Sequence, residues 1–294
     1  MTEQNAITQA AATHAPRPPA AERASVGIAE IVTAATALAW AGRWDIARQL
    51  LEGARPAEAD GPAAAAGRLA IAAATTAVHH DFRTSGPRWA PDALRAAEAA
   101  GAPQHRWQLG FLGIEHDYGR ELIGADGSPR FGPDGHDPAY LAALAERAEA
   151  LVRSAPDVAS AGWAAFYRGL ISDNLIGDRD DARRWLTQAL DAAEQTGDDY
   201  LAGEALRHLG DHDEEAGDLE RARVRWERSA ELWARIGNTT GVLAQQLLLA
   251  HLAISEGRPA AGLAIAEEVR RWSGAIGLAL CQQQADALLA SGPA

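Results

Sequence analysis

The sequence predicts an all-α fold, a solenoid of about six helical hairpins, and two observations carry that expectation. The first is a pair of glycine columns with a 40-residue period: Gly177, Gly217 and Gly257 form one, and Gly197, Gly237 and Gly277 the other. The second is the apolar spacing between columns. Ala182, Leu186, Ala189 and Leu190 in one unit, and Ala222, Trp226, Ser229 and Ala230 in the next, fall on single helix faces. A glycine that ends one helix, followed by polar residues able to cap the next, makes each unit a helical hairpin.

Taken in chain order, residues 1–24 combine Ala, Thr, Gln and Pro without a period and are expected to form a disordered tail. The tail lacks the basic start and apolar middle of a secretory signal. Gly42-Arg-Trp44-Asp-Ile-Ala47 then repeats the turn pattern, and helices are predicted at 62–81, 92–100, 105–123 and 138–153. Between the last two, the segment 124–137 holds four glycines and two prolines and reads as an inserted loop, either solvated or used as a lid. Pro138 opens the following helix, with His136 and Asp137 placed to cap it. The strong repeats occupy 160–290, so a single repeat domain is expected over 25–294.

Leu209-Gly210, Gly217-Asp-Leu219 and Ala222, together with Gly42, Trp44 and Ala47, resemble the tetratricopeptide repeat family. The period of 40 residues exceeds the family's usual one, which implies longer helices. The resemblance implies a right-handed superhelix whose concave groove holds a peptide, a partner protein or a small ligand. It implies a fold and leaves function open.

Composition narrows the partners. Forty acidic residues against 27 basic ones give a net charge of −13, which disfavours nucleic acid and favours a basic or cationic partner. Every basic residue is arginine, so a Schiff-base lysine and a phosphate-loop lysine are excluded. No apolar run reaches the roughly 18 residues that would span a bilayer. The single cysteine, Cys281, sits in an apolar helix face and cannot form an internal disulfide. A cytoplasmic location is expected.

Candidate site residues come from a column of His-Asp and related pairs near the ends of first helices, with aspartates at 81, 117, 173 and 213. A carboxylate there faces the negative end of the helix dipole, at a cost of about 0.3–1 kcal/mol, and such repeated violations mark function or strain. The position that faces the groove in the resembled family reads Thr36, His79, Glu115, Ile171, Asp211 and His251. Arg168 and Arg207, on neighbouring first helices, could clamp a carboxylate. His208 and His212 stand four residues apart on one helix face, the spacing that lets two imidazoles share zinc, iron or manganese. His80, His116, Asp117 and Asp213 complete the candidate metal set. Leu209 follows His208, so the HExxH pattern is absent, and no EF-hand loop is present.

Nine tryptophans are expected to divide by position. Trp185, Trp226, Trp233 and Trp272 should pack between helices, while one or two of Trp40, Trp89, Trp107 and Trp163 should reach a ligand pocket. The leading functional expectation is an interaction module that holds a peptide segment or small ligand in an acidic groove. The alternative is a hydrolase-like enzyme, metal-dependent or acid–base, that uses the His/Asp/Glu column; no motif in the chain specifies a catalyst.

Overall fold

A computed structural model describes residues 26–54, 62–84, 88–101, 105–124 and 127–291. The expected tail at 1–24 lies outside the described residues. Among those described there are thirteen α-helices and no named strand. In order they are α1 (Ile28–Trp40), α2 (Trp44–Gly53), α3 (Pro62–Arg83), α4 (Ala90–Ala100), α5 (Arg106–Leu122), α6 (Pro138–Arg153) and α7 (Val158–Leu170). They continue with α8 (Arg179–Thr196), α9 (Asp199–Glu215), α10 (Leu219–Arg235), α11 (Thr239–Ser255), α12 (Pro259–Ile276) and α13 (Ala279–Ser291). The helices expected in the middle of the chain are present, each within a few residues of the anticipated bounds.

All six column glycines lie between helices, with φ between 70° and 81°. That region is open to glycine and strained for other residues, so each glycine stops its helix in a left-handed C′ position. The next residue usually starts the following helix. Asp178, Asp198, Asp218 and Asn238 accept backbone N–H bonds from Asp181, Leu201, Arg221 and Gly241 respectively. Each such cap is worth about 1 kcal/mol, and a two-residue Gly-Asp turn is enough to reverse the chain.

Consecutive helices pack on one another, α7 against α8, α9 against α10 and α11 against α12. Glycines set the closest approaches: a β-carbon on Gly162 would lie 2.7 Å from the Ala192 methyl, and one on Gly210 2.5 Å from the Trp226 indole nitrogen. The largest apolar core runs from Ile114 on α5 through Phe166 and Leu186 to Leu209 and Leu232.

One interval breaks the period. Gly210 precedes Gly217 by seven residues, whereas Gly169 precedes Gly177 by eight. The extra residue is absorbed where α7 runs on into a π-helical segment, Ile171–Ile176, as expected of a one-residue insertion in a helix. Asp173 and Asn174 sit on that widened turn.

The first hairpin meets the last helices. The Trp40 and Tyr200 rings lie 5.3 Å apart, α1 touches α11, and a β-carbon on Gly42 would be 3.3 Å from Ile276. The tryptophan expectation holds for Trp226 and Trp233, both 2% exposed between α9 and α10. It fails for Trp272, which is 49% exposed beside Arg271.

Candidate functional site

The odd-numbered helices from α3 to α13 turn one face inward and enclose a cavity of about 740 Å³. On α9 the inward stripe is Tyr200, Glu204, Arg207, His208 and Asp211, spaced by three or four residues as one helix face requires. Opposite it stand His79, Phe82 and Arg83 from α3, Glu115 and Tyr118 from α5, and Trp163, Phe166 and Tyr167 from α7. Gly241, Ala244, Leu248 and His251 close one side from α11. Trp226 and Trp233 reach the wall from the outer helix α10, because Gly210 and Gly203 leave slots for their indoles. Pro129, Phe131 and Gly132 from the loop between α5 and α6 also line the space, and Phe131 is 66% exposed.

Charge inside the cavity is partly matched. Arg83 crosses from α3 to donate to the Tyr200 hydroxyl at 3.3 Å and to Glu204 at 3.4 Å. Burial works against that guanidinium's charge, but Tyr200 and Glu204 hold its pKa above the usual value. Glu115, 5% exposed, has Oε1 3.4 Å from His79 Nε2 and leaves Oε2 with no hydrogen-bond partner. Burial, reinforced by Glu115, pushes the neighbouring Tyr167 phenol well above its usual range, so it stays neutral.

One turn of α9 holds two groups shifted in opposite directions. Burial pushes the Asp211 carboxyl up to about 6, against the opposing pull of Arg207 and of the Trp226 indole N–H, which donates to Oδ1 at 3.1 Å. Burial, with Arg207 adding to it, pushes His208 down to about 3, so its imidazole stays neutral. The Arg207 guanidinium lies 3.0 Å from His208 Nε2, which must therefore accept.

Of the positions expected to face the groove, His79, Glu115, Asp211, His251 and Arg207 all border this one cavity. Arg168 is elsewhere: it bonds Glu149 at 2.9 Å, also contacts Asp181 and Ser172, and lies on the side of α7 that faces α6 and α8. It therefore forms no clamp with Arg207. Thr36 and Ile171 do not reach the cavity, and Ile171 is fully buried.

The aspartate column does not converge on a shared centre. Asp81 accepts from the backbone N–H groups of Trp89 and Ala90 and so caps α4. Asp117 pairs with Arg147 at 2.8 Å, and Asp213 sits among Arg183, Arg221 and Arg225. Asp173 lies 2.8 Å from His212 Nε2 and also pairs with Arg179. Burial alone would raise the Asp173 carboxyl, but the His212 hydrogen bond and nearby positive charge bring it below its usual value. These carboxylates spend their charge on neighbouring helices.

The candidate metal ligands are likewise dispersed. His208 faces the cavity, while His212 is turned to Asp173. Both nitrogens of His80 are engaged, by Asp81 at 2.9 Å and Thr84 at 3.1 Å, and its ring stacks on Trp89 at 3.5 Å. His116 stands apart from the cavity wall, with its pKa lowered by burial. Among the described residues, no three His, Cys, Asp or Glu side chains gather as an ion site. His136 bonds Glu121 at 2.9 Å, tying the loop to α5, and Asp137 alone caps α6.

Sequence reasoning missed Arg83, Tyr167, Tyr200 and Glu204. Tyr200 and Glu204 extend the stripe that continues through Arg207 and Asp211, a signal that was available. Arg83 was not legible, since its partners are 117 and 121 residues away.

No helix of the described residues is long and apolar enough to cross a membrane. No protein family matches the sequence, and no curated protein matches it either. Among solved structures the chain is similar to one titled a Rap protein complexed with competence and sporulation factor, with a TM-score of 0.41 and 10% identity over 88% of this chain and 79% of that one.

Proposed function

We propose that this chain is a cytoplasmic binding protein that holds a short peptide segment in the central cavity. In this reading, residues 25–294 form one domain of six helical hairpins in a right-handed, tetratricopeptide-like superhelix, and the loop at 124–137 covers the groove mouth. The observation that supports it is the cavity itself: about 740 Å³, bordered by six inner helices, with aromatic walls and a few convergent charged groups. Ligand sites have this size and composition.

A peptide fits better than nucleic acid, given the net charge of −13 and the carboxylates on the wall. The test is retention of peptides from a random short-peptide library on immobilised protein, read by mass spectrometry. Wild type should retain a defined subset, and Ala244→Trp, which fills the cavity from α11, should retain none while melting within a few degrees of wild type. Equal retention by both proteins overturns the reading.

A second reading, an acid–base enzyme, is favoured by one observation. Asp211 and His208 face the same cavity with their titrations moved apart, the pattern by which sites divide acid and base roles. A metal-dependent form would add zinc, iron or manganese, and stoichiometric metal in the purified protein would favour it.

A further inference from the structure

We propose that Glu115 is the counter-charge for a cationic group on the ligand, an ammonium or a guanidinium. The inference rests on the cavity being the ligand site, and it names the chemistry that site selects.

Glu115 projects from α5 into the cavity with its side chain only 4% exposed. One carboxylate oxygen is 3.4 Å from the His79 imidazole, the Tyr167 phenol also bonds the carboxylate, and Oε2 has no partner within 3.5 Å. A buried carboxylate with no arginine beside it is costly, and proteins rarely keep one unless something completes its charge. None of the wall's arginines pairs with Glu115: Arg83 contacts Glu204 and Tyr200, Arg179 contacts Asp173 and Glu215, and Arg207 contacts His208.

The surroundings of Glu115 suit an organic cation. Beside it, Tyr167 packs edge-on against Phe111, Tyr118 and Phe166, with ring centroids 5.5, 5.7 and 5.5 Å away. Phenols held neutral by burial offer π faces, which attract ammonium and guanidinium groups while sparing them a second negative charge. A hard metal ion would need several oxygen ligands, and no such group is present among the described residues. One buried carboxylate with an aromatic wall matches a ligand's basic side chain or free amine.

The experiment compares wild type with Glu115→Gln, which keeps the shape and removes the charge, in two arms. In the first, both proteins are equilibrated with the random short-peptide library. Wild type should enrich arginine or lysine at one position, and Glu115→Gln should lose that preference at least tenfold while keeping any preference at other positions. In the second, thermal shifts are measured with agmatine and with putrescine, which separates a free amine from a peptide side chain as the source of the cation.

Peptides enriched without a basic residue overturn the proposal but leave peptide binding standing, as does a basic preference that survives in Glu115→Gln. If wild type enriches no peptide, the binding reading fails, and the amines decide the proposal alone. Stabilisation of wild type but not of Glu115→Gln supports it, and equal or absent shifts overturn it. Circular dichroism and melting of Glu115→Gln guard against a folding defect; a variant close to wild type in stability is expected because the amide keeps the shape and removes a buried charge that has no arginine partner.

Discussion

Gly210 of α9 and Trp226 of α10 share one packing slot: a β-carbon on the glycine would lie 2.5 Å from the indole nitrogen. The same nitrogen donates to the Arg207 carbonyl at 3.0 Å and to Asp211 Oδ1 at 3.1 Å. Gly203 and Trp233 repeat the arrangement seven residues along each helix, so two glycines let an outer helix reach the wall of the inner cavity. Gly210→Ala should therefore destabilise the fold by about 1–3 kcal/mol through overpacking, measured by urea denaturation. Gly274→Ala, where the nearest atom would be 3.4 Å away on a flexible glutamine, should cost far less. Equal losses at the two sites would remove the packing argument.

Asp213 is 2% exposed and faces three arginines, Arg183, Arg221 and Arg225, at 3.1, 3.3 and 2.7 Å. Replacing it by asparagine leaves their charges crowded without a counter-ion. A loss of about 3 kcal/mol is expected in chemical denaturation, in the range for breaking a buried ion pair from one side. Asp92→Asn, at an exposed i,i+3 pair, should lie within about 0.5 kcal/mol of wild type. If Asp213→Asn is also neutral, this carboxylate is not holding α8, α9 and α10 together.

The depressed titration of His208 gives a pH dependence with a definite sign. Its imidazole titrates at about 6.5 when exposed and at about 3 in the fold, so the unfolded chain takes up the proton first as pH falls. Its stabilising contribution is present above pH 6.5 and is lost as pH drops toward 3. Between pH 6.5 and 4.5 that loss is about 2 kcal/mol. The raised Asp211 carboxyl acts in the opposite sense, favouring the fold below about pH 4 and losing that contribution as pH rises through about 6. Melting curves of wild type and His208→Gln at pH 6.5 and 4.5 should show the larger acid loss in wild type.

Phe131 sits at the cavity border on the loop between α5 and α6, and most of its surface faces solvent. The loop is held by Gly132 N–H donating to the Asn174 carbonyl at 2.8 Å and by His136 on Glu121. Phe131→Ser should leave the melting temperature unchanged and weaken a retained peptide by roughly tenfold, the worth of one buried aromatic contact near 1.4 kcal/mol. Unaltered affinity would assign the loop to solvent.

What the amino-acid sequence determined by itself is local. A 40-residue glycine period, with every column glycine but Gly277 followed by a capping residue or a first-turn proline, prescribes where helices stop and restart, because positive φ and N-cap hydrogen bonds are decided within a few residues. Asp211 and His251 stand one such period apart and border one cavity, which His79 and Glu115, outside that period, also line. Tertiary structure decided what their side chains do. Whether Asp173 meets a metal or His212, whether Arg168 turns inward or toward Glu149, and whether Arg83 finds Glu204 on a distant helix depend on pairings between repeats. Those pairings follow from charge compensation and packing across the assembled helices, where groups far apart in the chain compete for the same partners, and no local spacing encodes the winner.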